Sequence, residues 1–327
     1  MSEEEYRVEL PLAVTRSGAM VLGVCGFLTV YFRGAHTPNV RNGVIACLKL
    51  YTDRYGSNLR FSTDFPNKRW IAFDSEAVQR ITQHIVSGAP DDSWQFRVHG
   101  GQENESPSYF KIQGLGFRDW QDAQGDYLSF LRIQIPPDWI GRGDLASFFR
   151  FACDQLKPSQ GWGGLSFALG EDLNDRRRLE PVIYQLAHRG PLLEVEDPVF
   201  DQAELGKGVR GANWLTAIGE PWLHTLGGIE GLRRELGPPF TVFAYPNGAM
   251  IQAGDVYGAV DPSIREANPR ELTADQRQQA TVPPHYRRLA RVLRPVRLKE
   301  FPAMHSCQYG RPCFDQDATN AWLNRFD

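Results

Sequence analysis

His305, Cys307 and Cys313 form the densest group of metal-seeking side chains, inside the segment HSCQYGRPC. Three such ligands suit zinc. Five residues separate the two cysteines, however, which is not the spacing of a short zinc knuckle, and a fourth ligand would have to come from afar. The pair is read as ordinary loop thiols. Hydrolytic chemistry finds no better foothold, because the chain contains no H-E-x-x-H, no G-x-x-x-x-G-K and no G-x-S-x-G. Ser166, in GGLSFAL, lacks the glycine that a nucleophile elbow needs two residues later and is read as a mid-strand residue. His84 and His188 fall near the ends of expected helices, where an imidazole complements the helix dipole, and neither has a catalytic partner. No catalytic, cofactor-binding or metal-binding residue is assigned.

Carboxylates are the remaining resource. GEDLND carries Glu171, Asp172 and Asp175, and LEVEDPVFDQAE carries Glu194, Glu196, Asp197, Asp201 and Glu204. Clusters of this kind bind a cation, face a basic partner, or simply solvate a loop. The arginines of DRRRLE adjoin the first cluster and weaken any purely acidic surface there. The totals set outer limits. A chain of 327 residues with 42% hydrophobic and 23% charged residues has an ordinary globular composition. Its net charge of -3 argues against a surface devoted throughout to phosphates. The start, MSEEEYRVELP, is acidic where a secretory signal is basic. The apolar run 19–32 is shorter than the roughly 20 residues of a bilayer span and reads as a buried strand. With no export signal, the five cysteines are expected to be reduced and the protein cytoplasmic.

The elements that must position these residues follow from period and punctuation. Residues 19–32 and 127–135 read as strands. After the first, Thr37 caps a helix with Pro38 at its first position, Val40, Val44, Leu48, Tyr51 and Tyr55 on one face, and Gly56 at its end. After the second, Asp144 is the expected cap of a helix presenting Leu145, Phe148, Phe149, Ala152 and Leu156. The repeated strand–cap–helix order hints at two related halves, 1–125 and 126–327, which either stand apart or form one composite domain. Further helices are expected from Ser75 to Gly88, over 179–188, in YRRLARVLRP and in DQDATNAWLNRF. RWIAF, WQFRVH, SYFKIQG and WGGLSFALG read as strands, and FTVFAYPNGAMIQAG reads as a hairpin turning at Pro246-Asn247-Gly248. In the glycine- and tryptophan-rich stretch 207–228, residues 209–218 suit a central strand. Asn213, if buried there, must bond to backbone. Trp222, Leu223 and Leu226 suit a short helix docked on the sheet. The fold class expected is α+β, with mixed, partly antiparallel sheets and packed helices.

Four segments occur in the order GWGGLSFAL, GVRGANWLTAIGEPWLHTLGG, YPNGAMIQAG and PPHYRRLARVLRPVR, after an N-terminal GVCGFLTVYFRG. Their succession resembles a family of bacterial immunity proteins of type VI secretion systems, whose members are encoded beside VRR-Nuc nuclease toxins and protect the producer. The resemblance covers about residues 15–300, and the tail from Phe301 looks particular to this chain. It implies a binding protein rather than an enzyme. The partner would be the cognate nuclease toxin, with no cofactor, no direct contact with nucleic acid and no membrane. It also implies that the toxin's cleft is occluded. A cleft that holds phosphates is basic, so carboxylates can stand in for them. Glu171, Asp172, Asp175, Glu194, Glu196 and Asp197 are the candidates, with Trp162 as an aromatic anchor or, alternatively, a core residue. A hydrolase or nuclease-like enzyme with a dispersed site, using carboxylates of FDSEAVQR and VRLKEF, and a secretion-system adaptor remain as alternatives.

Overall fold

The computed structural model describes residues 13–16, 19–65, 67–125, 127–254, 282, 284–307 and 310–327. In chain order the strands are β1 (Ala13–Arg16), β2 (Ala19–Phe32), β3 (Phe61–Thr63), β4 (Trp70–Ala72), β5 (Trp94–His99), β6 (Lys111–Gly116), β7 (Ser129–Ile135), β8 (Gln160–Leu169), β9 (Leu193–Glu194), β10 (Leu215–Gly219), β11 (Phe240–Tyr245) and β12 (Gly248–Ala253). The helices are α1 (Pro38–Tyr55), α2 (Ala77–Ser87), α3 (Asp119–Gln124), α4 (Asp144–Leu156), α5 (Leu173–Arg189), α6 (Pro198–Asp201), α7 (Trp222–Thr225), α8 (Gly228–Leu236), α9 (Pro284–Leu293) and α10 (Gln316–Leu323). All twelve strands join one sheet, ordered β11-β12-β10-β8-β2-β7-β6-β5-β3-β4, with β1 on β2 and β9 on β8. Every pairing is antiparallel except β8 with β9. The fold is α+β, as the sequence pattern predicts.

β2 is the axis of the sheet. It pairs with β7 on one side and with β8 on the other, so a strand of 1–125 lies between two strands of 126–327. Its alternation divides the interior in two. Leu28, Val30 and Phe32 enter the core built with α1, α2, α4, α8 and α9, while Cys25, Phe27 and Tyr31 enter a second core with Trp162, Leu298 and Phe301. Near the start of β2, Leu22 and Val24 meet Phe167 of β8 and Ile183, Leu186 and Ala187 of α5. The glycines of GWGG serve close approach: a Cβ on Gly161 would lie 2.7 Å from the Thr29 carbonyl oxygen.

Several local expectations are met atom for atom. The Thr37 hydroxyl accepts from the Val40 N–H at 3.5 Å at the start of α1. β11 and β12 close a hairpin with Tyr245 opposite Gly248 and Asn247 at φ 68°. Others are corrected. The helix expected over 179–188 begins at Leu173, because Asp172 caps it, and the three arginines lie inside it. Asp144 is the first residue of α4, not its cap, because the chain enters through Gly143 at φ 79°. Glu76 rather than Ser75 precedes α2. The strand expected over 209–218 is confined to Leu215–Gly219. Upstream of it, Val209 bridges to the segment just after α9 through its N–H to Val296 (2.8 Å) and the Leu298 N–H to its own carbonyl (2.9 Å). The Gln160 side chain takes the Arg210 N–H, and a turn between Asn213 and Thr216 completes the irregular path. Cys307 and Cys313, expected to be reduced thiols, form a disulfide, since the short loop brings their Cα atoms to 5.6 Å. Most of the loop 259–284 lies outside the described residues.

Candidate functional site

The second face of the sheet carries a polar row at its centre. Thr29 of β2 stands opposite Arg132 of β7 and Trp162 of β8. All three converge on Glu196, in the loop after β9. Thr29 donates to its carboxylate at 3.0 Å, the Trp162 indole N–H donates at 2.9 Å, and the Arg132 guanidinium lies 2.9 Å away. The Glu196 side chain is 0% exposed. Burial pushes its carboxyl up, against the pull of Arg132 and Arg210.

A second buried group lies beside it. Arg210 is ion-paired with Asp201 and sits 3.4 Å from Glu194. Glu194 also takes Arg325 of the C-terminal segment at 2.7 Å and the Asn213 amide at 3.0 Å. The Arg210 guanidinium lies over the rings of Trp162 and Phe301. Burial pushes the Asp201 carboxyl up to about 8, opposed by Arg210. Ser166, read as mid-strand, donates to the Glu194 carbonyl at 2.9 Å. These groups fasten the segment after β9 to the sheet and to the tail.

A third ion cluster is centred on Glu171, which pairs with Lys111 and, at 2.8 Å, with Arg97. Burial alone would raise the Glu171 carboxyl, but Lys111, Arg176 and Arg97 outweigh it and hold the group well below the usual carboxylate range. Burial brings Lys111 down to about 8 against the same partner.

From this base the chain rises to the surface at two short turns. Asp172 caps α5, accepting from the Asn174 and Asp175 N–H groups at 2.6 and 3.0 Å. Asp197 caps α6, accepting from the Val199 N–H at 3.0 Å. Arg176 ties the turns together, donating to the Gly170 carbonyl at 2.7 Å and to Asp197 at 3.3 Å. On α6, Pro198 and Asp201 point inward while Val199 and Phe200 point out. The Gln202 amide donates to the Val199 carbonyl at 2.8 Å, and the Leu128 N–H reaches the Gln202 carbonyl at 3.4 Å.

The structure thus sorts the residues singled out from the sequence. Trp162 (3% exposed), Glu194 and Glu196 belong to the interior. Glu171 is mostly enclosed by its cations. Asp172, Asp175 and Asp197 are on the surface, and the Arg176 bridge brings the two acidic stretches onto one face. Sequence reasoning missed Leu173, Val199 and Phe200 on that face, and missed Arg132, Arg210 and Arg325 beneath it. The only sequence signal was an apolar pair directly after a proline in an acidic segment, EDPVFD. Among the described residues no group of three or more His, Cys, Asp or Glu side chains could hold a metal ion. No helix of the described residues is long and apolar enough to cross a membrane.

Three comparisons bear on this geometry. The family model described as TsiV, type VI immunity for VRR-NUC, matches residues 43–326. That span starts inside α1 and takes in the tail, so the segment after Phe301 is part of the family's length and β2 precedes it. Among solved structures, the Pseudomonas aeruginosa T6SS protein PA0821 superposes with a TM-score of 0.81 at 24% identity, over 97% of this chain and 87% of that one, a likeness of fold. No curated protein matches the chain.

Proposed function

Because the chain belongs to the TsiV family, type VI immunity for VRR-NUC, we propose that it neutralises a VRR-Nuc nuclease by binding it with the α5–α6 face set over the nuclease's DNA-binding cleft. The observation that carries this reading is the 3.3 Å contact between Arg176 and Asp197, which puts the two acidic stretches side by side. A nuclease cleft concentrates positive potential to hold phosphates, and Asp172, Asp175 and Asp197 offer it carboxylates on a face they share with Arg176, Arg177 and Arg178. Glu194, Glu196 and Trp162 act from below, by fixing the loop that carries Asp197. Neutralisation is stoichiometric and not catalytic, and takes place in the cytoplasm, where the nuclease would reach DNA.

The test is co-expression with the VRR-Nuc protein encoded beside this chain. Protection from toxicity with co-purification is the expected result, and titration of the purified nuclease should end at a fixed molar ratio. Reversing Asp172, Asp175 and Asp197 to lysine one at a time should slow association and flatten its response to salt, because less attraction is left to screen. If all three variants associate at the parent rate, the carboxylates have no part in recognition.

A further inference from the structure

The carboxylates of the α5–α6 face are already engaged within the protein. Asp172 caps α5, Asp175 meets Arg178 at 3.1 Å, and Asp197 caps α6 and meets Arg176. Charges neutralised in this way steer a partner but add little to the strength of its complex. What the same face presents without an internal use is apolar. Phe200 is 73% exposed, Leu173 59% and Val199 52%, three of the six large apolar side chains exposed among the described residues. A fourth, Tyr127, is one residue from the bond that joins Leu128 to Gln202.

These side chains do not hang on a slack loop. α6 is pinned from inside by Asp201 on Arg210, at its start by the Asp197 cap, and at its end by Gln202. Leu173 occupies the first turn of α5, tied to α6 through Arg176. An exposed phenylalanine on a preorganised turn that begins at Asp197 and is tied through Arg176 to the start of α5 has the anatomy of a binding hot spot, an apolar side chain beside polar neighbours.

We propose that Phe200, with Val199 and Leu173, is the anchor that enters an apolar pocket at the lip of the VRR-Nuc nuclease's cleft, while Asp172, Asp175 and Asp197 face the cleft's basic wall. The inference rests on the reading that this chain binds such a nuclease. That partner is the one the family model describes, and its phosphate-binding cleft meets at this face three carboxylates, Asp172, Asp175 and Asp197, interleaved with Arg176 and Arg178, so the apolar side chains rather than net charge supply the anchor.

The experiment measures affinity and dissociation rate of the full chain for the catalytically inactivated nuclease. Phe200→Ala should weaken binding by about 30-fold or more, chiefly through faster dissociation. Phe200→Asp combined with Leu173→Asp should abolish it. Val86→Asp, at an exposed apolar residue of α2, should bind like the parent. Because Phe200 lies outside both cores, its variants should keep the parent's melting temperature. Binding of Phe200→Asp within about two-fold of the parent overturns the inference. So does a change in oligomeric state on Phe200→Asp with nuclease affinity unaltered, which would assign the patch to a second copy of the chain. If the unaltered chain fails to bind the nuclease, the underlying reading falls, and this inference falls with it.

Discussion

Glu196 has three partners inside the protein, Thr29, Trp162 and Arg132, and its side chain has no exposed surface. A charge in that position is tolerated because two donors, Thr29 and Trp162, bond to it and the Arg132 guanidinium lies close by. Removing one member of a buried ion pair leaves the other uncompensated, at a cost of about 3–5 kcal/mol. Glu196→Ala is therefore expected to lower stability by that order in urea denaturation. Replacing both members, Arg132→Leu with Glu196→Met, should cost clearly less than the sum of the single changes, because no orphaned charge remains. A merely additive result would show that the pair is not coupled. The same logic explains why these residues gave no clear signal in the sequence. Glu194, Glu196 and Asp197 are adjacent acids in a loop-like segment, and the arginines that take two of them indoors come from β7, from the irregular segment before β10 and from the C-terminal tail.

At the scale of the element, local rules sufficed where an element is stabilised by its own residues. α1 has its Thr37 cap and Pro38, and the β11–β12 hairpin has Asn247-Gly248, and both fall where their residues place them. Local rules failed where a side chain from elsewhere competes for the backbone. The apolar run 209–218 has the composition of a strand, yet Gln160 and the segment just after α9 claim the backbone groups of Val209 and Arg210 before a ladder can. Asn213 then makes the turn into β10. Its side-chain oxygen accepts from the Trp214 N–H at 2.9 Å, so the expected backbone bond is present, and its amide donates to Glu194. Asn213→Ala should remove the side-chain acceptor of the Trp214 N–H and one of the donors to Glu194, which keeps Arg325 on the same oxygen, and lower stability by about 0.5–1.5 kcal/mol. A melting temperature equal to the parent's would show that the turn does not depend on this side chain.

For the whole molecule, the position of β2 has the largest consequence. It bonds along Gly26–Phe32 to β7 and from Leu22 to Tyr31 with β8, both contributed by the second half of the sequence. A chain divided after Gly125 takes β2 from both neighbours and exposes apolar strand edges on each fragment. Residues 1–125 and 126–327 are thus expected to be insoluble when produced apart, to be rescued by co-production, and to unfold in a single transition when intact. A soluble, cooperatively melting fragment 126–327 would establish a separate domain.

The sequence by itself determined the α+β class, most helices and strands, the hairpin turn and, through the ordered glycine–tryptophan segments, the family. Each of these depends on neighbours in the chain: period, caps, turn residues and an unbroken motif order. Only the tertiary structure decided which carboxylates lie inside and which lie on the surface. Burial of a charge depends on a counter-charge brought from a distant segment, as Arg132, Arg210 and Arg325 are brought to the loop after β9. It also decided that Phe200 faces outward, because on a turn as short as α6 the inward side is taken by Pro198 and by Asp201 bound to Arg210.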